Sequence, residues 1–188
     1  MNPATPQPLR AHDIASLARF AVENFQASLL RYAARLLGDP DRAQDVVQDT
    51  FARLMAQPVD AVEDHLAEWL FTVCRNRAFD INRKEGRMKF FDEGEAERVV
   101  AREPRPSAFI EAEETHAAVL KMIEVLPPNQ QEVLRLKFQN GFSYKQISRI
   151  TSLSVSNVGF LLHTAIKRLR AEWATTAGNT TLARTSRP

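Results

Sequence analysis

Three sets of residues in this chain have types and spacings that could do chemistry, and in each the chemistry is binding rather than bond-making. Asp41, Asp45 and Asp49 recur at steps of four, with Gln48 among them. On a helix they form one acidic, hydrogen-bonding face. Like charges so spaced repel by roughly 0.2–0.5 kcal/mol per pair, a cost that a basic partner surface turns into a gain. The plain alternative is a solvated helix face on which Arg53 balances Asp49. The second set lies between Arg75 and Lys89, where Arg75, Arg77, Arg83, Lys84, Arg87 and Lys89 face only Asp80 and Glu85. Asn76, Asp80, Arg83 and Arg87 share a helical face. Arginine and lysine neutralise phosphates, while asparagine and aspartate bond base edges. Again the alternative is an exposed helix with local pairs such as Asp80–Lys84. The third set, Ser154, Ser156, Asn157, Phe160, His163, Thr164 and Lys167, follows a tight turn near the C-terminus.

Other chemistries are poorly supplied. His12, His65, His116 and His163 are dispersed, without metal-ligand spacing, so neither a metal nor a cofactor is expected. No glycine-rich phosphate loop and no nucleophile elbow occurs, and the chain does not read as an enzyme. The single cysteine, Cys74, excludes an intramolecular disulfide and is expected to pack in a core. No apolar run is long enough to span a bilayer, and the first ten residues lack the pattern of a signal peptide; a cytoplasmic protein without membrane insertion is expected. Net charge is only +2 over 188 residues, so any nucleic-acid signal must come from local clustering.

The elements that must position these residues are helices. Glycines number only six and alternating β-branched runs are scarce. After Asp13, the residues Leu17, Phe20, Ala21, Phe25, Leu29, Ala33 and Leu36 recur at three- or four-residue steps until Gly38. Asp39-Pro40 is a cap followed by a first-turn proline and starts a second helix to about Gln57. Its stripe of Ala43, Val47, Phe51 and Leu54 lies about 200° from the aspartates. Asp64 can cap a third helix, to about Arg83, with Leu66, Leu70, Cys74 and Ile81 turned away from the basic face. From Gly86 to Pro106 the periodicity fails, which reads as a linker. Helical pattern resumes near Ser107, breaks at Leu126-Pro127-Pro128, and continues to about Asn140-Gly141. Two more helices then predict a helix-turn-helix: Ser143 to Ile150, a turn at Thr151-Ser152-Leu153, and a helix capped by Ser154 running to about Trp173. In the second, Val158, Leu162, Ala165 and Leu169 face inward, so that Ser156, Phe160, His163 and Lys167 face out, flanked by Asn157, Leu161 and Thr164. Such a helix can lie in the major groove.

The expected architecture is therefore all-α: two small helical domains, 12–86 and 107–173, joined by a flexible linker at 87–106, with a disordered tail at 174–188.

Three blocks carry a resemblance to the extracytoplasmic-function (ECF) class of bacterial sigma factors, in the sigma-70 family. They are DPDRAQDVVQDTFARL (39–54), WLFTVCRNRAFDINRKEGR (69–87) and LPPNQQEVLRLKFQNGFSYKQISRITSLSVSNVGFLLHTAIKRLR (126–170). The resemblance implies a sigma-2 bundle and a sigma-4 helix-turn-helix unit that together direct core RNA polymerase to promoters, as double-stranded and then melted DNA. It gives Asp41, Asp45, Gln48 and Asp49 a basic partner, the coiled coil of the β′ subunit, with the β subunit as a further contact. It places Asn76 and Asp80, with Arg83, Lys84 and Arg87, at the −10 element. It places Ser154, Ser156, Asn157, Phe160, His163, Thr164 and Lys167 at the −35 element. Gln44 stands where the family usually has an acid. Gly159, Phe160, Leu161 and Thr164 stand where small polar and basic residues are usual.

Two further expectations follow from those departures. Thr50, beside Asp49, is a candidate phosphosite at which a kinase could restore acidity lost at Gln44. Phe160 and Leu161 form an adjacent exposed apolar pair, better suited to a covering protein surface than to a DNA groove. The cover would be the sigma-2 unit or a regulator such as an anti-sigma protein. A sigma-like adaptor and a stand-alone helix-turn-helix repressor are the alternative functions.

Overall fold

The computed structural model describes residues 13–85 and 119–185, with side chains through residue 174. Every regular element among the described residues is helical. The expected linker at 87–106, the restart near Ser107 and Arg87 lie outside these residues.

The first helix, α1 (Ile14–Leu37), begins where the Asp13 carboxylate accepts from the Ser16 N–H at 2.7 Å. It ends at Gly38, whose φ of 69° suits glycine and whose N–H donates to the Ala34 carbonyl. Between these caps Leu17, Ala21, Phe25, Leu29, Tyr32, Ala33 and Leu37 turn inward. The Asp39 carboxylate caps α2 (Pro40–Met55) by accepting from the N–H groups of Asp41 and Arg42. Its buried stripe is Ala43, Val46, Val47, Thr50 and Leu54, wider than the apolar residues alone suggest.

Two 3-10 turns, Val59–Ala61 and Glu63–His65, precede α3 (Leu66–Lys84). Asp64 therefore does not cap that helix: it lies inside the second turn, and the cap position falls to His65, which makes no side-chain cap bond. Asn82, buried, donates its amide to the Leu36 carbonyl at 2.9 Å and pins α3 to α1.

The second unit contains α4 (residues 119–124), α5 (Pro128–Phe138), α6 (Tyr144–Thr151) and α7 (Val155–Thr185). Ser143 and Gln146 form a reciprocal capping box at α6. Ser152, with φ of 61°, takes the chain through the turn in the left-handed region that few residues other than glycine adopt. Helix α7 continues to Thr185, so residues 174–185 are helical rather than the disordered tail expected. Once a helix is nucleated, each added residue gains a hydrogen bond without the nucleation cost, so an apolar face is not required.

The two units share one apolar core, from Leu17 and Phe71 to Phe142, Ile147 and Leu162. Phe71 of α3 links them: its ring meets Tyr32 of α1 at 5.2 Å and Phe142, just before α6, at 5.0 Å edge-on.

Candidate functional site

Helix α2 presents the acidic set as expected from its period. Asp41, Asp45 and Gln48 are exposed, and Asp49 is half-buried. Asp49 is not free: Arg77 of α3 pairs with it at 2.8 Å and Arg53 at 3.6 Å. The same outward stripe continues past Gln48 to Ala52 and Met55. There it borders a shallow apolar groove against α1, lined also by Ala18, Val22 and Phe51. Sequence reasoning missed this apolar half, although Ala52 and Met55 continue the helical spacing of Asp41, Asp45 and Gln48.

Thr50 does not share that surface. It is fully buried, its hydroxyl donates to the Val46 carbonyl at 2.7 Å, and it sits against Cys74. Being four residues after Val46 and three after Val47, it lies in the middle of the buried stripe. A kinase cannot reach it in the folded protein, so the phosphosite expectation is corrected. Cys74 is likewise buried, and burial pushes its thiol up to about 12 against a smaller opposing effect of its hydrogen bond with Thr50.

On α3 the basic cluster divides into two groups. Asn76, Arg83 and Lys84 are exposed, and Asp80 accepts from Arg83 at 2.7 Å rather than pairing with Lys84. Arg75 and Arg77 belong to the fold. Arg77 holds Asp49, and Arg75 lies over the Phe79 ring at 4.2 Å while its Nε donates to Glu132 of α5 at 2.8 Å. Glu132 also accepts from the Tyr32 hydroxyl at 2.6 Å. Burial, and secondarily the Glu132 charge, raises the Tyr32 hydroxyl well above its ordinary range. Burial alone would lower the Arg75 guanidinium, but Glu132 outweighs it and the net direction is upward. A second bridge joins the units where Arg149 of α6 grips Glu68 of α3 with two nitrogens, at 2.6 and 2.8 Å. Residues with charge at both ends of these bridges are far apart in sequence, so no local spacing reveals them.

The helix-turn-helix is formed by α6 and α7. Ser154 Oγ accepts from the Asn157 N–H at 3.1 Å, so Ser154 caps the helix. Ser156, Phe160, His163 and Lys167 are exposed, while Asn157 and Thr164 are half-buried at the edges. Leu161 is 6% exposed, in the core with Val158, Leu162 and Ala165. The exposed apolar pair expected at 160–161 is therefore corrected to one residue, because three steps from Val158 return Leu161 to the inward side. Beside Phe160, the Tyr144 ring covers Gly159: a Cβ there would stand 3.7 Å from Tyr144 Cε2. The Lys137 ammonium lies 5.6 Å from that ring's centroid, which brings a cation from α5 to the edge of α7.

This geometry defines a two-unit helical protein with a helix-turn-helix, a basic amide-bearing helix and an acidic helix joined to it by Arg77 and Asp49. Comparison with known proteins gives the class. The sigma-70 region 2 family matches residues 21–88, and the sigma-70 region 4 family matches residues 116–169. The ECF RNA polymerase sigma factor EcfG of Rhodopseudomonas palustris is 34% identical over 146 residues, covering 77% of this chain and 78% of that one. The ECF sigma factor SigM of Bacillus subtilis is 27% identical over 154 residues, covering 78% and 89%. Among solved structures, the sigma factor RpoE of Bartonella quintana, in complex with the anti-sigma factor NepR, is similar with a TM-score of 0.59 and 26% identity, over 81% of this chain and 94% of that one.

The chain belongs to the ECF sigma factors of the sigma-70 family. It is a non-catalytic subunit that binds core RNA polymerase and initiates transcription through promoter recognition by regions 2 and 4. No helix among the described residues is long and apolar enough to cross a membrane.

Proposed function

We propose that the outward stripe of α2, Asp41, Asp45, Gln48, Ala52 and Met55, is the polymerase-docking surface and that its partner is the β′ coiled coil. One observation carries the reading: an acidic half and an apolar half are continuous on one exposed helix face. The apolar half supplies burial that needs no counter-charge, while the carboxylates supply sign and register. Asp41 and Asp45 make no ion pair among the described residues and remain available, whereas Asp49 is shared with Arg77. Asn76, Asp80, Arg83, Lys84 and Arg87 serve the −10 element, and the exposed row of α7 from Ser156 to Lys167 serves the −35 element, with Ser154 acting through its cap. The β subunit is a further contact. Control by an anti-sigma protein is supported by the likeness to a sigma factor solved with one.

The adaptor reading rested on the exposed apolar pair, and the burial of Leu161 removes that support. A stand-alone repressor leaves the α2 stripe without a partner.

The test is core binding by Asp41→Lys with Asp45→Lys, and separately by Met55→Glu. All three side chains are exposed, so the melting temperature is expected to hold while core binding falls at least tenfold. Full retention of binding by both variants would overturn the docking assignment.

A further inference from the structure

On the reading face of α7 a single side chain has no hydrogen-bonding capacity. Phe160 is 65% exposed, with Ser156 one turn before it and His163 and Thr164 one turn after it. With Leu161 in the core, the exposed apolar surface here is the Phe160 ring and the Tyr144 ring over neighbouring Gly159, two side chains rather than a patch of several hundred square ångströms such as marks a protein interface. The unit-to-unit contact does not cover it either, since that contact uses Glu68, Phe71 and Arg75 of α3 against Glu132, Phe142 and Arg149.

We infer that Phe160 is a specificity-determining residue of −35 recognition and that it reads the C5-methyl group of a thymine. The inference rests on the assignment of α7 to the −35 element. The argument is one of elimination by chemistry. In the major groove guanine, adenine and cytosine present donors and acceptors, and thymine adds the one apolar group, its methyl. A phenyl ring held at the groove floor desolvates any donor or acceptor it meets without replacing its hydrogen bond, which is unfavourable. Against a methyl it gains contact instead. The position of the ring is constrained: Phe160 is the sixth residue of α7, on the N-terminal part of the helix that approaches base edges. Gly159 leaves one flank bare, and the Tyr144 ring over Gly159, with Lys137 above it, fills that flank with an aromatic surface carrying a cation. Lys137 and Tyr144 suit a backbone phosphate, so orientation comes from α5 and α6 while Phe160 is left to read the base.

The experiment uses holoenzyme reconstituted with the full chain and a promoter selected by that holoenzyme from a randomised pool. Each thymine of the −35 element, on both strands, is replaced in turn by deoxyuridine, which pairs identically but lacks the methyl. One position is expected to lose about fourfold in holoenzyme binding, the factor corresponding to burial of one methyl-sized group. Phe160→Ala is expected to bind thymine and deoxyuridine promoters at that position equally; Phe160 is exposed, so the variant retains its fold. If no thymine responds to loss of its methyl in the parent, or if Phe160→Ala keeps the full response, the assignment of Phe160 is overturned. Scrambling the whole −35 element separates the two levels: if it leaves the parent's binding unchanged, the −35 assignment of α7 itself fails.

Discussion

Arg75 and Glu132 meet across the seam between the two helical units, Nε to Oε1 at 2.8 Å, although 57 residues separate them in sequence. The Glu132 side chain is 4% exposed and that of Arg75 15%. The Tyr32 hydroxyl donates to the same oxygen. Three helices, α1, α3 and α5, therefore converge on one buried carboxylate.

Glu132→Ala is expected to release that convergence. It leaves a largely buried guanidinium and a buried hydroxyl without their acceptor, a loss of about 3–5 kcal/mol for breaking such a pair from one side. The denaturant midpoint should fall and the radius of gyration in solution should rise. Unchanged values of both would show that the pair does not hold the units together.

Arg135, two turns from the start of the same helix, has the opposite character. It is 5% exposed, and its Nη1 finds no partner among the described residues. Burial, with Arg35 nearby, pushes its guanidinium down to about 10. Arg135→Met should raise stability by about 1–3 kcal/mol, because it removes an unsatisfied buried donor while keeping an unbranched stem. A lower melting temperature would contradict this.

Alkaline pH should destabilise the fold through Cys74 and Tyr32. Both groups have folded values raised above their unfolded ones, so their contribution is complete below the unfolded pKa and is lost as pH rises through the folded one. With unfolded values of about 8.5 and 10, the melting temperature should begin to fall above roughly pH 8.5. Cys74→Ala should delay that onset toward roughly pH 10, where Tyr32 begins to contribute. In the native protein at neutral pH, a thiol reagent should modify Cys74 only at the rate of unfolding.

Thr50→Glu should unfold the first unit rather than mimic a modified, more active factor, because it places a carboxylate where side-chain exposure is zero. Thr50→Ser should be nearly neutral. Circular dichroism on heating distinguishes these outcomes from a gain in transcription, which would revive the phosphosite.

For the proposed −10 face, Lys84→Ala should weaken binding to all promoters alike and reduce the salt slope by about one phosphate's share. Asn76→Ala should instead change the ranking of promoters. Arg83→Ala should do some of both, since it frees Asp80 from its 2.7 Å partner. Equal scaling of every promoter by all three variants would contradict this division of roles.

The helices were legible in the sequence because each carries an apolar stripe at the helical period between recognisable caps: Asp13 and Gly38 around α1, Asp39-Pro40 before α2, Ser143 before α6. Failures came where one residue had to be assigned to one side. Thr50 lies in its helix's buried stripe by spacing but is polar by type, and Leu161, adjacent to the exposed Phe160, returns inward three steps after Val158. The start of α3 was misread because the 3-10 turns ahead of it use no side-chain cap. Nothing in the sequence showed that Arg75 and Arg77 serve the fold while Arg83 and Lys84 stay exposed. The partners of the first two, Glu132 and Asp49, come from other helices, and ion pairing across the fold has no period.

The seam centred on Glu132 also sets a limit on length. A chain of this size folded as one body has a radius of gyration of roughly 16 Å. Promoter elements centred 25 base pairs apart lie roughly 85 Å from one another along straight B-form DNA. Were the two units held as one body of that size, it would be too short to touch both, and occupying the two elements together would require α5 and α6 to leave α3. What separates a factor at rest from one stretched along a promoter is thus the packing of Phe71 on Phe142 together with two carboxylates, Glu68 and Glu132, and the three groups that hold them.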